Sequence, residues 1–193
     1  MRASAGSGLC RRHSGQRHAS SPIFWRRVSR RFYVGFGSMA GFDGEALIDA
    51  LVAAVAGRRA LFNPGWSGVD ASRLPGNFRV VGDLPHSWLF PRTSLVIHHG
   101  GSGTSHSATR AGVPSVVVPF AGDQFFWAER LRRIGVAAGP VNGRAIRASD
   151  LARSIDRAEG NDLHSRARAV GAAMAAENGL AAAVSAIDEL MAA

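Results

Sequence analysis

From Phe32 onward, short runs of β-branched and aromatic residues alternate with longer stretches in which apolar residues recur every three or four positions. A short apolar run bounded by Gly, Pro and polar residues suits a strand buried on both faces, whereas a 3.6-residue repeat suits an amphipathic helix. The pattern predicts strands FYVGF at 32–36, RALFN at 59–63, FRVVG at 78–82, SLVIH at 94–98 and SVVVP at 115–119. After the first of these, Leu47, Ile48, Leu51, Val52 and Val55 share one side of a helix. GGSGTSHSATRAG at 100–112 and DQFFWAERLRRIG at 123–135 have the length and polarity of crossover helices, and the Gly/Pro-rich segment 64–77 is a loop. Beyond Pro140, Ala-rich segments at 149–159, 161–177 and 179–191 read as helices, with Leu151, Ile155, Ile187 and Leu190 as their buried contacts. Strands alternating with helices predict an α/β fold, a Rossmann-like parallel sheet with flanking helices.

Composition narrows this picture. Apolar residues make up 46% and charged residues 19%, with mean hydropathy near zero, which excludes a wholly disordered, collagen-like or disulfide-stapled chain. A lone cysteine, Cys10, cannot close an internal disulfide and fits a reducing, cytoplasmic compartment. The longest apolar stretches, such as 115–122, fall short of the roughly 20 residues a spanning helix needs, so no membrane span is expected. The net charge of +9 suggests nucleic acid until its position is examined. Residues 1–31 hold eight arginines and no acid, leaving 15 arginines against 14 carboxylates in the other 162 residues. The expected organisation is a disordered Arg-rich tail at 1–31 and one folded domain at 32–193. A stretch translated from an upstream start or broken frame, a targeting leader and a nucleic-acid arm are the other readings of that tail, and no nucleic-acid partner is expected for the folded part.

In an open α/β sheet a ligand sits outside the carboxyl ends of the strands, and three loops with suitable chemistry fall there. In the first, Gly35, Gly37 and Ser38 let the backbone approach a ligand and offer a hydroxyl to a phosphate oxygen; the same glycines also suit a plain turn. In the second, His98, His99, Gly100, Gly101, Ser102, Gly103 and Thr104 close a strand and open a helix, whose first amides and dipole favour a diphosphate. In the third, Asp123 and Gln124 place a carboxylate beside an amide, a pair able to grip neighbouring sugar hydroxyls. Asp123 equally fits a helix N-cap. Adjacent strand residues point to opposite faces, so His98 and His99 make poor joint ligands, and no metal is expected. No G-x-S-x-G elbow accompanies the Ser, His and Asp residues.

In this order the three loops describe a nucleotide-sugar site, and the segment 84–136, LPHSWLFPRTSLVIHHGGSGTSHSATRAGVPSVVVPFAGDQFFWAERLRRIGV, resembles the donor-binding region of family-one UDP-glycosyltransferases. Its pattern is that of bacterial glycopeptide- or macrolide-type enzymes and of sterol 3-beta-glucosyltransferases. The resemblance runs from about residue 32 to 192 and implies the C-terminal, donor-binding half of a GT-B fold. It implies that His99, Gly101, Ser102, Gly103 and Thr104 bind the donor diphosphate, with Ser38 beside the phosphates. Asp123, 24 residues after His99, and Gln124 would hold the sugar, and the backbone of Leu84 to His86 would hold the base. Two positions depart from plant members. Asp83 stands where they stack the base on Trp, and Ser107 stands where their Glu holds the ribose, so the donor reads as UDP- or dTDP-linked.

The same resemblance implies an inverting hexosyl transfer to an acceptor hydroxyl, with no cofactor beyond the donor. It also places the acceptor pocket and general base in a companion domain, to which residues 1–31 bear no likeness; His13 and His18 lie there without a carboxylate neighbour. No catalytic residue is therefore assigned here. The expectation is a donor-binding domain that is inactive alone, with two alternatives: the donor-binding subunit of a two-chain enzyme, in which a separate chain supplies the acceptor domain, or a truncated remnant.

Overall fold

The computed structural model describes residues 31–37, 43–65 and 69–192. Five parallel strands, β1 (Phe32–Gly35), β2 (Ala60–Asn63), β3 (Phe78–Val80), β4 (Leu95–His98) and β5 (Ser115–Val117), form one sheet in the order β3-β2-β1-β4-β5. Every expected strand is present and slightly shorter, because the ladder stops where Gly, Pro and polar residues turn the backbone into loops. Pairing already begins at Arg31, whose carbonyl accepts from the Ser94 amide at 2.8 Å, one residue earlier than expected. The remainder of the expected tail, 1–30, lies outside the described residues.

Seven α-helices are present among the described residues: α1 (Gly44–Val55), α2 (His86–Leu89), α3 (Ser102–Arg110), α4 (Gln124–Arg133), α5 (Ala148–Ala158), α6 (Asn161–Ala176) and α7 (Gly179–Ala192); all but the one-turn α2 fall where the sequence pattern predicts a helix. Helix α1 shows how local chemistry sets the ends: the Asp43 carboxylate accepts from the Ala46 amide at 3.0 Å, and Ala56 and Gly57 leave the helix with positive φ.

Alternation along the strands sorts the core into two faces. Phe32, Val34, Phe62, Leu95 and Ile97 pack with Leu47 and Leu51 of α1 and with Leu151 and Ile155 of α5. On the other face Tyr33, Leu61 and Val96 meet Leu89 of α2, Phe90 and Ala108 of α3. Val117 joins Ala128 and Leu131 of α4 and Ala167 of α6. Winding runs from β1 outward to β3 on one side and from β4 to β5 on the other. The loops leaving β1 and β4 therefore diverge and open a crevice at the carboxyl edge.

Leu151 and Ile155 are buried as expected, but Ile187 and Leu190 are 59% and 78% exposed. Periodicity identified an apolar side of α7, along which Leu180, Val184, Ile187 and Met191 recur, yet none of its residues is buried. A repeat reports which face is apolar and carries no information about what covers it. Residues 161–192 also contain an 18-residue window with a mean hydropathy of 1.4, long and apolar enough to cross a membrane. That stretch is not one straight helix: Glu177 is extended, and Leu163, Ala167 and Gly171 of α6 are buried in the domain.

Two contacts make this fold sensitive to single atoms. A Cβ on Gly171 of α6 would lie 2.7 Å from the Gly112 backbone and 2.9 Å from the Thr109 carbonyl. His98, the last residue of β4, is fully buried and its Nδ1 accepts from the Gly100 amide at 3.1 Å. Burial, with lesser repulsion from His99 and His86, pushes its imidazole down to about 3.

Gly171→Ala should therefore lower stability by about 1–3 kcal/mol in urea unfolding, where the same change in an exposed helix would raise it. For His98 the native state stays neutral while the unfolded chain takes up a proton below its ordinary value of 6.5. Unfolding free energy should thus rise with pH from about 3 to 6.5, this residue contributing up to about 1.4 kcal/mol per pH unit. His98→Asn, whose amide oxygen can replace Nδ1, should remove about one proton from that slope.

Candidate functional site

The site is built around the turn joining β4 to α3. Gly100 has φ of +95°, and a Cβ there would lie 2.8 Å from Val117 Cγ1 and 3.0 Å from the Gln124 carbonyl. Only glycine fits, and the turn brings this loop against the start of α4. Gly101 then forms the N-cap of α3 and has no side chain of its own to cap the helix. The amides of Ser102, Gly103 and Thr104 lack the intrahelical acceptors that later amides have, and they carry the positive end of the dipole. Ser102 and Gly103 are exposed, and Thr104 is half-buried.

The half-buried His99 ring lies between two glycines. A Cβ on Gly37 would sit 3.1 Å from its Cε1, and one on Gly101 would sit 2.5 Å from its Nε2. Both glycines therefore leave the volume that this ring occupies. Burial holds the imidazole below its ordinary value, with the Asp123 carboxylate acting in the opposite sense, so His99 is uncharged at neutral pH. Nδ1 is buried without a hydrogen-bond partner among the described residues. Neutral imidazole beside open helix amides suits a ligand that brings its own negative charge.

The β5–α4 loop approaches from the other side. Gln124 is buried and its Oε1 accepts from the amides of Phe120 at 2.8 Å and Ala121 at 3.2 Å. Its carbonyl thus braces the loop. Asp123 is exposed and does not cap α4; its Oδ2 accepts from Trp127 Nε1 at 3.0 Å.

A third rim follows β3. Leu84 and His86 are half-buried, Leu84 against the Tyr33 cluster, while the His86 ring stacks on Phe90 at 4.3 Å. Burial lowers the His86 imidazole too. Below this rim lies Tyr33: a Cβ on Gly35 would meet its hydroxyl at 2.4 Å. Burial is the main cause that raises this phenol to about 12, Asn63 opposing through a hydrogen bond and Asp83 adding to the rise. Ser107 is half-buried within α3, beyond Thr104. Ser38 lies outside the described residues.

The structure thus brings His99, the 101–104 turn and Asp123 together, with Leu84 and His86 at the neighbouring rim. Among the described residues no three His, Cys, Asp or Glu side chains group as metal ligands. Sequence reading had left out Trp127, Tyr33 and Asn63. Trp127 was findable, because it stands four positions after Asp123 at the start of a helix, where side chains meet. Tyr33 and Asn63 carried no such signal, since strand register alone brings β1 and β2 side by side.

Comparison with known proteins places this geometry. Residues 47–190 match the family described as erythromycin biosynthesis protein CIII-like, C-terminal domain. The chain is 34% identical to a sterol 3-beta-glucosyltransferase of Arabidopsis thaliana over 186 residues, covering 93% of this chain and 30% of the relative. It is 38% identical to the sterol 3-beta-glucosyltransferase of Komagataella phaffii over 162 residues, covering 79% and 13%. Among solved structures, the spinosyn forosaminyltransferase superposes with a TM-score of 0.75 at 21% identity, covering 90% of this chain and 47% of that one. The glycosyltransferase VinC, solved in complex with dTDP, superposes at 0.63 and 24% identity, covering 80% and 40%. The chain therefore spans under a third of these curated relatives and under half of these solved neighbours. With the doubly wound sheet and the family match in agreement, this chain belongs to the EryCIII-like C-terminal domain family of family-one glycosyltransferases.

Proposed function

We propose that this chain is the donor-binding part of an inverting glycosyltransferase and holds a UDP- or dTDP-linked hexose. The turn from His99 to Thr104 carries the reading: a neutral imidazole beside three open amides at a helix start, with a carboxylate alongside. In the transfer, a base takes the proton of an acceptor hydroxyl, whose oxygen attacks the anomeric carbon as the bond to the diphosphate breaks. The departing electron pair adds charge to the diphosphate, where the amides of Ser102, Gly103 and Thr104, the helix dipole and His99 stabilise it. Asp123 and Gln124 would orient the hexose. Ser38 would lie beside the phosphates, and Leu84, His86 and Ser107 beside base and ribose. Ser107 in place of a carboxylate suits a deoxyribose lacking the 2′-hydroxyl, and a neighbour solved with dTDP supports that donor class.

The acceptor pocket and its base would come from an acceptor-binding portion, in the same longer protein or in a separate chain. Exposed apolar groups on α7, with Phe125 and Phe126 beside Asp123, offer surface such a portion would cover. The sterol glucosyltransferase relatives support a hydroxylated lipid as one acceptor class.

Calorimetric titration with UDP, dTDP and UDP-glucose should give saturable binding to the folded chain. His99→Ala should weaken it roughly 10- to 100-fold, the usual range for loss of one hydrogen bond to a charged group. A folded chain that binds none of the three would overturn the reading.

A further inference from the structure

We propose that Trp127 is a positioning residue for the donor sugar, which turns Asp123 from a helix cap into an acceptor for sugar hydroxyls. The inference rests on the donor-site reading above and concerns what makes that site read a hexose. An Asp at a helix start normally has an extended backbone and spends its carboxylate on an amide of the first turn. Asp43 does so, with ψ of 97° and a bond from the Ala46 amide, and Asp70 does so, with ψ of 95° and a bond from the Ser72 amide. Asp123 breaks this rule within the same molecule. Its φ and ψ are −70° and −10°, already helical, and its carboxylate makes no capping bond. Instead Oδ2 accepts from the indole N–H of Trp127, one turn along α4, at 3.0 Å.

The indole is suited to hold the carboxylate without competing for the ligand. It has one donor and no acceptor, so it occupies part of Oδ2 and leaves Oδ1 to receive hydroxyl protons. Its ring is half-buried and set by an edge contact with Phe126, centroids 5.2 Å apart at 80°. The neighbouring carbonyl of Gln124 is committed to the Phe120 and Ala121 amides. Asp123, which acts electrostatically on His99, is thus the acceptor held in place on this loop, next to the proposed diphosphate turn.

The test is a thermodynamic cycle of wild type, Trp127→Phe, Asp123→Asn and the double variant, titrated with UDP and UDP-glucose, or dTDP and dTDP-glucose if thymidine is preferred. Trp127→Phe should leave nucleotide affinity within twofold and weaken the nucleotide sugar about tenfold. Adding Asp123→Asn should then cost little more. The melting temperature of Trp127→Phe should hold, since the released carboxylate can cap α4. Trp127→Gln, which restores a donor at the same spacing, should recover part of the loss and serves if the Phe variant fails to fold. An unchanged ratio of nucleotide-sugar to nucleotide affinity, an equal loss of both, or additive effects would overturn the role of Trp127 alone. Wild type that binds neither ligand would overturn the donor-site reading itself.

Discussion

The turn at Gly100 is the constraint on which the rest of the site depends. Positive φ at this one residue, with no room for a Cβ against Val117 and Gln124, sends the chain from β4 into α3 within three residues. It joins the buried His98 that accepts the Gly100 amide and the His99 ring over Gly101 to the start of α4, which is distant in sequence. Any side chain at position 100 would push the His99–Thr104 turn away from the start of α4.

Burial then sets the electrostatics. His98 and His99 are adjacent and both are held uncharged, mainly by desolvation. Two imidazolium groups here would repel one another. As neutral groups they instead differ in role: His98 accepts an amide and orders the loop, while His99 stands at the crevice. Positive potential at this turn thus comes from backbone amides and the helix dipole, which do not titrate. Glycines at 37 and 101 complete the arrangement by vacating space that the His99 ring fills.

The outer surface tells a complementary story. Helix α6 is drawn onto α3 by a glycine-to-backbone approach at Gly112 and Gly171, whereas α7 continues with apolar residues facing outward. Phe125 and Phe126, next to Asp123 in sequence, are exposed as well.

The positions of the strands, those of every helix but α2 and the parallel α/β class were legible in the sequence, because periodicity reports burial and Gly-rich strand-to-helix junctions have a restricted geometry. Leu151 and Ile155 fell in the core as their spacing required, and His99, Gly101 and Asp123 met at one edge as an open parallel sheet demands. Side-chain partnership was not legible. Asp123 fitted a cap or a sugar contact equally well in sequence, and the structure gives its carboxylate to Trp127, while Gln124 turns its carbonyl toward its own loop. Ile187 and Leu190 carried a core pattern and lie exposed. Local sequence determines which backbone conformations and faces are favourable; which polar atom meets which, and which apolar face is covered, depends on the packing of distant segments, and the tertiary structure alone decides it.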